Sequence, residues 1–367
     1  MNEVKVESFL DFLDKCVTPY HFCEYAKSKL LAENYIEMPD RRQWDTIPEK
    51  GFIIRSGRAL IAFQIDKSQG MPDSMIIVGT HDDSPCLKVK PNYDSGKGVC
   101  KEILVASYGG GRWYTWFDRG LRLAGRVYTS QNGGEQFLFD SVEPVAICPS
   151  SIISDNPDDL SQSELLPFTG FQSSQNIISY IETKLNLPSE SITQWDLSLL
   201  DAEPASTFSS LVCSGRIDNL GSTFAGLTAF LNSKPKNTVN ILVVFDNEEI
   251  GSSTPVGALG DFLSTCINHL FENKSKEVIA KSLLISADNA HAIHPNYPQM
   301  HEKLHSPLIG HGLTIKKSPG SSYATDLTSE FPLRQAALKL GLNLQELINR
   351  NDIPGGSTIG PLSSALL

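Results

Sequence analysis

The chain has 367 residues, of which 40% are hydrophobic and 20% charged, a composition typical of a globular protein with two domains or one large interrupted domain. Its formal net charge of −11 argues against nucleic acid and anionic membrane surfaces as main partners, because both bind basic protein surface. The seven scattered cysteines lack a paired zinc-type spacing and indicate reduced thiols. With neither a secretory signal nor a membrane span in the sequence, we expect a cytosolic (cytoplasmic) protein; vacuolar or lysosomal delivery is not readable from these residues.

The first elements are two helices and two strands. Apolar positions at helical spacing over residues 6–31 predict helices, and Thr18-Pro19 predicts a break between them. Residues 51–54 and 59–65 are typical of strands, and a polar turn follows at residues 68–70.

An inserted β-rich domain is predicted over residues 91–205. This part of the chain has short β-prone runs and glycine clusters, with a loose polar stretch over residues 150–162. The remaining residues, 1–90 and 206–367, are predicted to form one discontinuous catalytic domain.

The second half of that domain alternates strands and helices. A helix is predicted over residues 222–231, strand, helix and strand then alternate as far as Asp288, and a final amphipathic helix is predicted over residues 333–349. Such alternation predicts an α/β fold with a mainly parallel sheet flanked by helices.

Three apolar runs in this domain end at acidic residues. The runs 75–78, 241–245 and 283–287 lead to His81-Asp82-Asp83, to Asp246-Asn247-Glu248-Glu249 and to Asp288. Open α/β folds place their active sites at the edge of the sheet where parallel strands end. We therefore expect these side chains at one edge.

The first two acidic segments have residue types that suit a metal centre. His81 and Asp83 share one face of a strand, so the Asp83 carboxylate could orient a metal-binding imidazole. Glu248 and Glu249 point in different directions and could divide into a base facing water and a metal ligand, since two buried like charges need a cation nearby. A surface turn with solvated acids is the alternative for either segment.

Two more carboxylates, those of Asp218 and Asp288, also follow apolar segments. One imidazole with several carboxylates suits zinc, and manganese or cobalt are alternatives.

The amino-acid sequences of these segments resemble motifs of the M18 metallopeptidases, the aspartyl aminopeptidases. The matching segments occur in the same order as in the family, from His81 to the end of the chain. The matching segments are His81-Asp82-Asp83-Ser84-Pro85, Tyr108-Gly109-Gly110-Gly111-Arg112-Trp113, Trp116-Phe117-Asp118-Arg119, Arg216-Ile217-Asp218-Asn219-Leu220, Asp246-Asn247-Glu248-Glu249-Ile250-Gly251, Ser286-Ala287-Asp288, His294-Pro295-Asn296-Tyr297 and Gly356-Ser357-Thr358-Ile359-Gly360-Pro361.

The resemblance implies a dinuclear zinc aminopeptidase that removes N-terminal Asp or Glu from peptides. It implies a zinc-aminopeptidase-like catalytic domain interrupted by a β-rich domain used in dimerisation and assembly, with dodecamers as the family's homo-oligomer. By matching motif, His81, Asp218 and Asp288 would bind one zinc, and Asp218 would bridge to a second zinc bound by Glu249. Glu248 would be the general base that takes a proton from a metal-activated water.

Three further residues match substrate-side positions of the family. Lys316 matches a lysine near the acidic side chain of the substrate, although a solvated surface lysine is the alternative, and His291 and Tyr323 lie in neighbouring substrate-binding motifs.

The sequence also departs from the family pattern. A further histidine ligand of the second zinc lies, in the family, beyond the point where this sequence stops, so we expect that site to be incomplete. Gly120 and Gly355 stand where the family usually has Asp and Cys. An incomplete sequence of an active enzyme, a weakly active single-zinc enzyme and a non-catalytic subunit that binds peptide or co-assembles all fit; we favour the aminopeptidase.

Overall fold

The structure, a computed structural model, describes residues 5–94, 101–130, 134–150, 165–170, 175–353, 355–356 and 358–367. The α-helices are α1 (Val6–Lys15), α2 (Pro19–Ala32), α3 (Ile177–Leu185), α4 (Ile217–Asn232), α5 (Phe262–Phe271), α6 (Ser275–Ile279), α7 (Leu327–Leu340) and α8 (Ile359–Leu366). The strands are β1 (Ile36–Glu37), β2 (Lys50–Arg55), β3 (Ala59–Ile65), β4 (Met75–His81), β5 (Cys86–Asp94), β6 (Lys101–Tyr108), β7 (Gly120–Thr129), β8 (Gln136–Asp140), β9 (Ala146–Ile147), β10 (Phe168–Thr169), β11 (Ile192–Asp201), β12 (Ser206–Phe208), β13 (Leu211–Cys213), β14 (Val239–Phe245), β15 (Leu283–Ser286), β16 (Leu313–Lys316) and β17 (Leu344–Leu347).

The chain divides into two compact units. Unit 1 contains Met1–Ser28 and Asp82–Leu220, and unit 2 contains Lys29–His81 and Gly221–Leu367. These units are defined by how compactly the residues pack. The predicted catalytic domain (1–90 with 206–367) and the predicted inserted domain (91–205) have different bounds and stay a prediction. Among the described residues, no helix has both the length and the apolar character needed to cross a membrane.

Unit 1 is built on an antiparallel sheet in the order β11-β5-β6-β10-β9-β7-β8, and a further pairing of β11 with β7 closes six of the strands into a ring. Its core contains Leu87, Leu123, Val127 and Leu199 from the strands, with Ile181 from α3. The prediction of a β-rich region is therefore confirmed. The polar residues 151–162, predicted as a loose loop, lie outside the described residues.

Gly125 allows the long β7–β11 pairing of unit 1. It lies opposite Leu197 with a φ of 153°, and an added Cβ atom would collide with the carbonyl oxygen of Asp196 on β11. Both the backbone conformation and the close approach of β11 therefore require glycine here.

We predict that Gly125→Ala destabilises unit 1 by at least about 2 kcal/mol, because the methyl group forces β7 away from β11. Gly110→Ala is the matched control, since no atom lies within 4 Å of a Cβ added at Gly110. Urea unfolding of the two variants measures the difference, and equal stabilities would contradict the prediction.

Unit 2 contains a six-stranded sheet in the order β1-β2-β3-β14-β4-β15. The pairings β1–β2, β14–β4 and β4–β15 are parallel, and β3 pairs antiparallel with both β2 and β14. The mainly parallel sheet predicted from the alternating elements is thus confirmed. Every residue of β3 is buried, as expected for a strand covered on both faces.

Helix α5 and the first residue of α8 complete the core of unit 2. Phe262 and Ile267 of α5 and Ile359 of α8 belong to the same buried cluster as Ile77 and Val243 of the central strands. The close fit of α8 is visible at Gly79, where an added Cβ would lie 2.8 Å from the Ile359 side chain.

The prediction of one helix over residues 333–349 is wrong at its carboxyl end. Helix α7 begins earlier, behind the capping side chain of Asp326, and ends at Leu340. Gly341 adopts a left-handed conformation with a φ of 66°, which terminates the helix. The chain then forms β17, which pairs in parallel with β16.

Candidate active site

Three neighbouring parallel strands of unit 2 end at one edge of the sheet. Phe245 of β14 lies opposite His81 of β4, and Ser286 of β15 lies opposite Gly79, two residues before His81. Asp288 follows Ser286 by two residues, so the parallel register carries it to the level of His81. Glu248 follows Phe245 in a short 3₁₀ turn.

Side-chain atoms of three predicted site residues converge at this edge. The His81 Nε2 atom lies 3.8 Å from Glu248 Oε2 and 4.0 Å from Asp288 Oδ1. The His81 side chain is 2% exposed, and those of Glu248 and Asp288 are 15% and 13% exposed. An imidazole and two carboxylates are thus held together with little contact with solvent.

These donor atoms fit a zinc ion. His81 and Asp288 can each offer a ligand atom, and these atoms lie within 4.8 Å of one another. Two atoms bound to one zinc ion at about 2 Å are separated by roughly 3 to 4 Å, and zinc takes imidazole nitrogen and carboxylate oxygen as ligands. Carboxylates in a site with so little exposure also need a nearby cation to remain ionised.

The loop after β14 fixes the direction of Glu248 and Glu249. Asn247 takes a left-handed conformation with a φ of 65°, and its side-chain oxygen accepts a hydrogen bond of 2.9 Å from the Thr254 hydroxyl. The buried Asp246 carboxylate lies 3.2 Å from the guanidinium of Arg58. Glu248 and Glu249 follow in one partly buried 3₁₀ turn, so they project in different directions.

Lys316 lies beside the predicted ligand Asp288. Its Nζ atom is 3.4 Å from Asp288 Oδ2 and 5.6 Å from the centre of the Tyr323 ring, and its side chain is 14% exposed. Burial, followed by the negative charge of Asp288, raises the pKa of the Tyr323 hydroxyl above its ordinary value. Tyr323 is therefore a neutral hydrogen-bonding group at neutral pH.

His291 lies on the exposed side of the same region. Desolvation, followed by the electrostatic influence of His301 and Lys316, lowers the pKa of the His291 imidazole. Its ring centre lies 5.4 Å from that of His301, whose Nε2 atom accepts a 2.9 Å hydrogen bond from the His294 backbone N–H. A neutral imidazole at this position can both donate and accept hydrogen bonds.

The two other predicted site residues, Asp83 and Asp218, belong to unit 1. The Asp83 side chain is buried, and its Oδ2 atom accepts a 2.7 Å hydrogen bond from the hydroxyl of Tyr108. Asp218 is exposed and has a non-helical backbone near the start of α4, and its carbonyl oxygen accepts a 2.6 Å hydrogen bond from the Ser84 hydroxyl.

Sequence reasoning missed Thr223, which supports the end of β4 in unit 2. Its fully buried hydroxyl lies 2.8 Å from the His81 carbonyl oxygen, to which it donates, and 3.0 Å from the Thr80 hydroxyl. The available signal was a β-branched polar residue among the small apolar residues of α4. Tyr108, the partner of Asp83, was also missed, although it stands in the quoted Tyr-Gly-Gly-Gly segment.

We predict that Thr223→Val, which preserves shape, destabilises the protein by about 1 to 3 kcal/mol because the buried Thr80 hydroxyl and His81 carbonyl lose a partner. Thr228→Val on the same helix is the control and should change stability by less than about 0.5 kcal/mol. Thermal unfolding measures both, and amide exchange near His81 should quicken in the Thr223 variant alone. Equal effects of the two substitutions would refute the assigned support.

Comparison with known proteins identifies the family. Residues 12–367 match the family described as Aminopeptidase I zinc metalloprotease (M18). The chain is 32% identical to an aspartyl aminopeptidase of Caenorhabditis elegans, covering 98% of this chain and 86% of the relative. It is 34% identical to a probable M18 family aminopeptidase 2 of Stutzerimonas stutzeri, covering 98% of this chain and 89% of the relative.

Solved structures agree. A chain in the cryo-EM structure of the Ape4 and Nbr1 complex is 30% identical with a TM-score of 0.91, covering 98% of this chain and 77% of that one. The crystal structure of prApe1 is 25% identical, also with a TM-score of 0.91, covering 98% of this chain and 86% of that one.

The family match and the similar solved structures thus show the class of protein, a metallopeptidase that acts at the amino end of peptides. The chain belongs to the M18 family of zinc aminopeptidases. Its relatives favour an enzyme over a non-catalytic subunit.

Proposed function

We propose that this M18 peptidase removes an N-terminal Asp or Glu from peptides. The observation that carries the proposal is the convergence of His81, Glu248, Asp288 and Lys316 at one strand edge of unit 2, because it joins metal ligands, a base and a fixed cation. The relative from Caenorhabditis elegans is an aspartyl aminopeptidase by name, which supports an acidic substrate.

Two zinc ions would be held by four residues. His81, Asp218 and Asp288 would hold the first ion, and Asp218, shared between the two, would hold the second ion together with Glu249. When bound, zinc polarises the scissile carbonyl and lowers the pKa of a water molecule to near neutrality. Asp83, held by Tyr108, is proposed to orient the His81 imidazole.

Glu248 is the proposed general base. Its carboxylate takes a proton from the water whose oxygen bonds to the scissile carbonyl carbon and gives that proton to the leaving nitrogen, so the peptide C–N bond breaks with release of a neutral amine rather than an amide anion. Its partial burial in the short 3₁₀ turn after Asn247 supports this role, because a proton acceptor must be held within hydrogen-bond reach of its donor.

Lys316 is proposed to bind the acidic side chain of the substrate. A nearly buried ammonium attracts a carboxylate more strongly than one in water does, and a neutral substrate side chain gains nothing from that attraction. The Tyr323 ring lies beside Lys316, and the charge of Lys316 helps to lower the pKa of His291. We propose that Tyr323 and the neutral His291 bind the rest of the terminal residue.

Self-association and a cytosolic location are also proposed. The family resemblance implies assembly, as far as a dodecamer, through the β-rich residues 91–205. In the described part of unit 1, β8 pairs only with β7 and therefore offers an open strand edge. The six described cysteines form no disulfide with one another, which supports a reducing compartment.

We predict that Glu248→Gln lowers kcat for an N-terminal Asp peptide by about 10²–10⁴-fold, because an amide cannot accept the proton. The variant should keep the zinc content of the native protein. Glu277→Gln, at an exposed position of α6, is the control and should keep full activity. The mechanism would be rejected if the native protein stayed active in the presence of a strong chelator. Full activity of the Glu248 variant would also reject it.

We predict that Lys316→Met, assayed at saturating zinc, lowers kcat/KM for N-terminal Asp about 10–100-fold more than for N-terminal Ala, because a charged hydrogen bond is lost only with the acidic substrate. Lys317→Met is the matched control, since the Lys317 ammonium pairs with Glu330 and Glu346 instead. An unchanged preference for Asp in the Lys316 variant would show that another group selects the substrate.

A further inference from the structure

The two carboxylate oxygens of Asp288 face different partners. Oδ1 lies 4.0 Å from His81 Nε2, on the side of the proposed metal ligands, and Oδ2 lies 3.4 Å from the Lys316 ammonium. A cation beside one carboxylate oxygen restricts the rotation of the carboxylate and favours presentation of the other oxygen to a metal.

The pair is shielded from solvent. The side chains of Lys316 and Asp288 are 14% and 13% exposed, so water screens their attraction less than it screens a surface ion pair. The ordering of Asp288 by Lys316 is correspondingly stronger than that expected of an exposed pair.

Lys316 is itself held in place. It ends strand β16, opposite Leu347 of β17, and its Nζ atom lies 5.6 Å from the centre of the Tyr323 ring. The following residue, Lys317, projects to a different set of partners, Glu330 and Glu346. Only the first of these adjacent lysines therefore acts on Asp288.

We propose that Lys316 is a positioning residue for Asp288, holding this carboxylate so that Oδ1 is presented to zinc. The inference rests on the proposed function, which assigns Asp288 as a ligand, and it extends the role of Lys316 beyond substrate selection. An ammonium has three N–H donors, so one can hold Asp288 while the others remain for the acidic side chain of a substrate.

The sign of the effect on zinc affinity separates positioning from simple electrostatics. A positive charge beside a ligand repels a divalent cation, so charge alone predicts tighter zinc binding when Lys316 is neutralised. Loss of an outer partner that orients a ligand instead weakens metal binding, typically 10–100-fold. The two effects have opposite directions.

The test is zinc affinity by competition with a chromophoric chelator, without any peptide present. Lys316→Met should weaken zinc binding about 10–100-fold, and Lys316→Arg, which keeps a donor cation, should recover most of the loss. Lys317→Met is the matched control, because it removes an ion-paired ammonium from the adjacent position without touching Asp288. Unfolding of the zinc-free proteins shows whether the two Met variants are similarly folded.

A double substitution tests whether the effect acts through Asp288. In an Asp288→Asn background, Lys316→Met should no longer weaken zinc binding, since the carboxylate that Lys316 orients is already gone and only the loss of charge repulsion remains. Zinc binding that is unchanged or tighter in Lys316→Met overturns the proposal while leaving the proposed function intact. A native protein that binds zinc normally but cleaves no acidic peptide overturns the proposed function and leaves the positioning role standing.

Discussion

The parallel register of β14, β4 and β15 is the constraint on which the site in unit 2 depends. Parallel neighbours end at one edge, so residues just beyond each strand meet there although they are far apart in the chain. A one-residue slip of β15 against β4 would turn Asp288 to the other face of the sheet and separate it from His81. The apolar contacts that fix the register therefore also bring together the proposed metal ligands His81 and Asp288.

Charge at this edge is balanced in a way that serves two tasks. Glu248 and Asp288 bring negative charge next to a buried imidazole, and Lys316 adds one positive charge beside Asp288. The carboxylates favour a nearby divalent cation. Under the proposed roles, the pair of Lys316 with Asp288 links zinc binding to the selection of the terminal residue.

The sequence was most informative where local pattern and fold agree. The strand predicted over residues 59–65 has the same bounds in the structure. The apolar runs 75–78 and 241–245 also lie in strands, and their acidic segments stand at the ends of these strands, because short β-branched runs fit buried parallel strands. The prediction that the helix reaches residue 349 was wrong because the spacing of apolar residues does not reveal that Gly341 adopts a left-handed conformation and ends the helix. The contact of Lys316 with Asp288 and the support from Thr223 were not predictable, since neither follows from local spacing.

The strand order of unit 2 also has a consequence for how the protein folds. Strand β4 ends at His81 and its parallel neighbour β14 begins at Val239, and the chain between them includes residues 82–220 of unit 1. Closing so long a loop costs entropy before any β4–β14 contact repays it, whereas the β2–β3 hairpin forms locally. We therefore expect His81 and Glu248 to meet late in folding, so that the proposed metal centre forms only when the sheet is nearly complete.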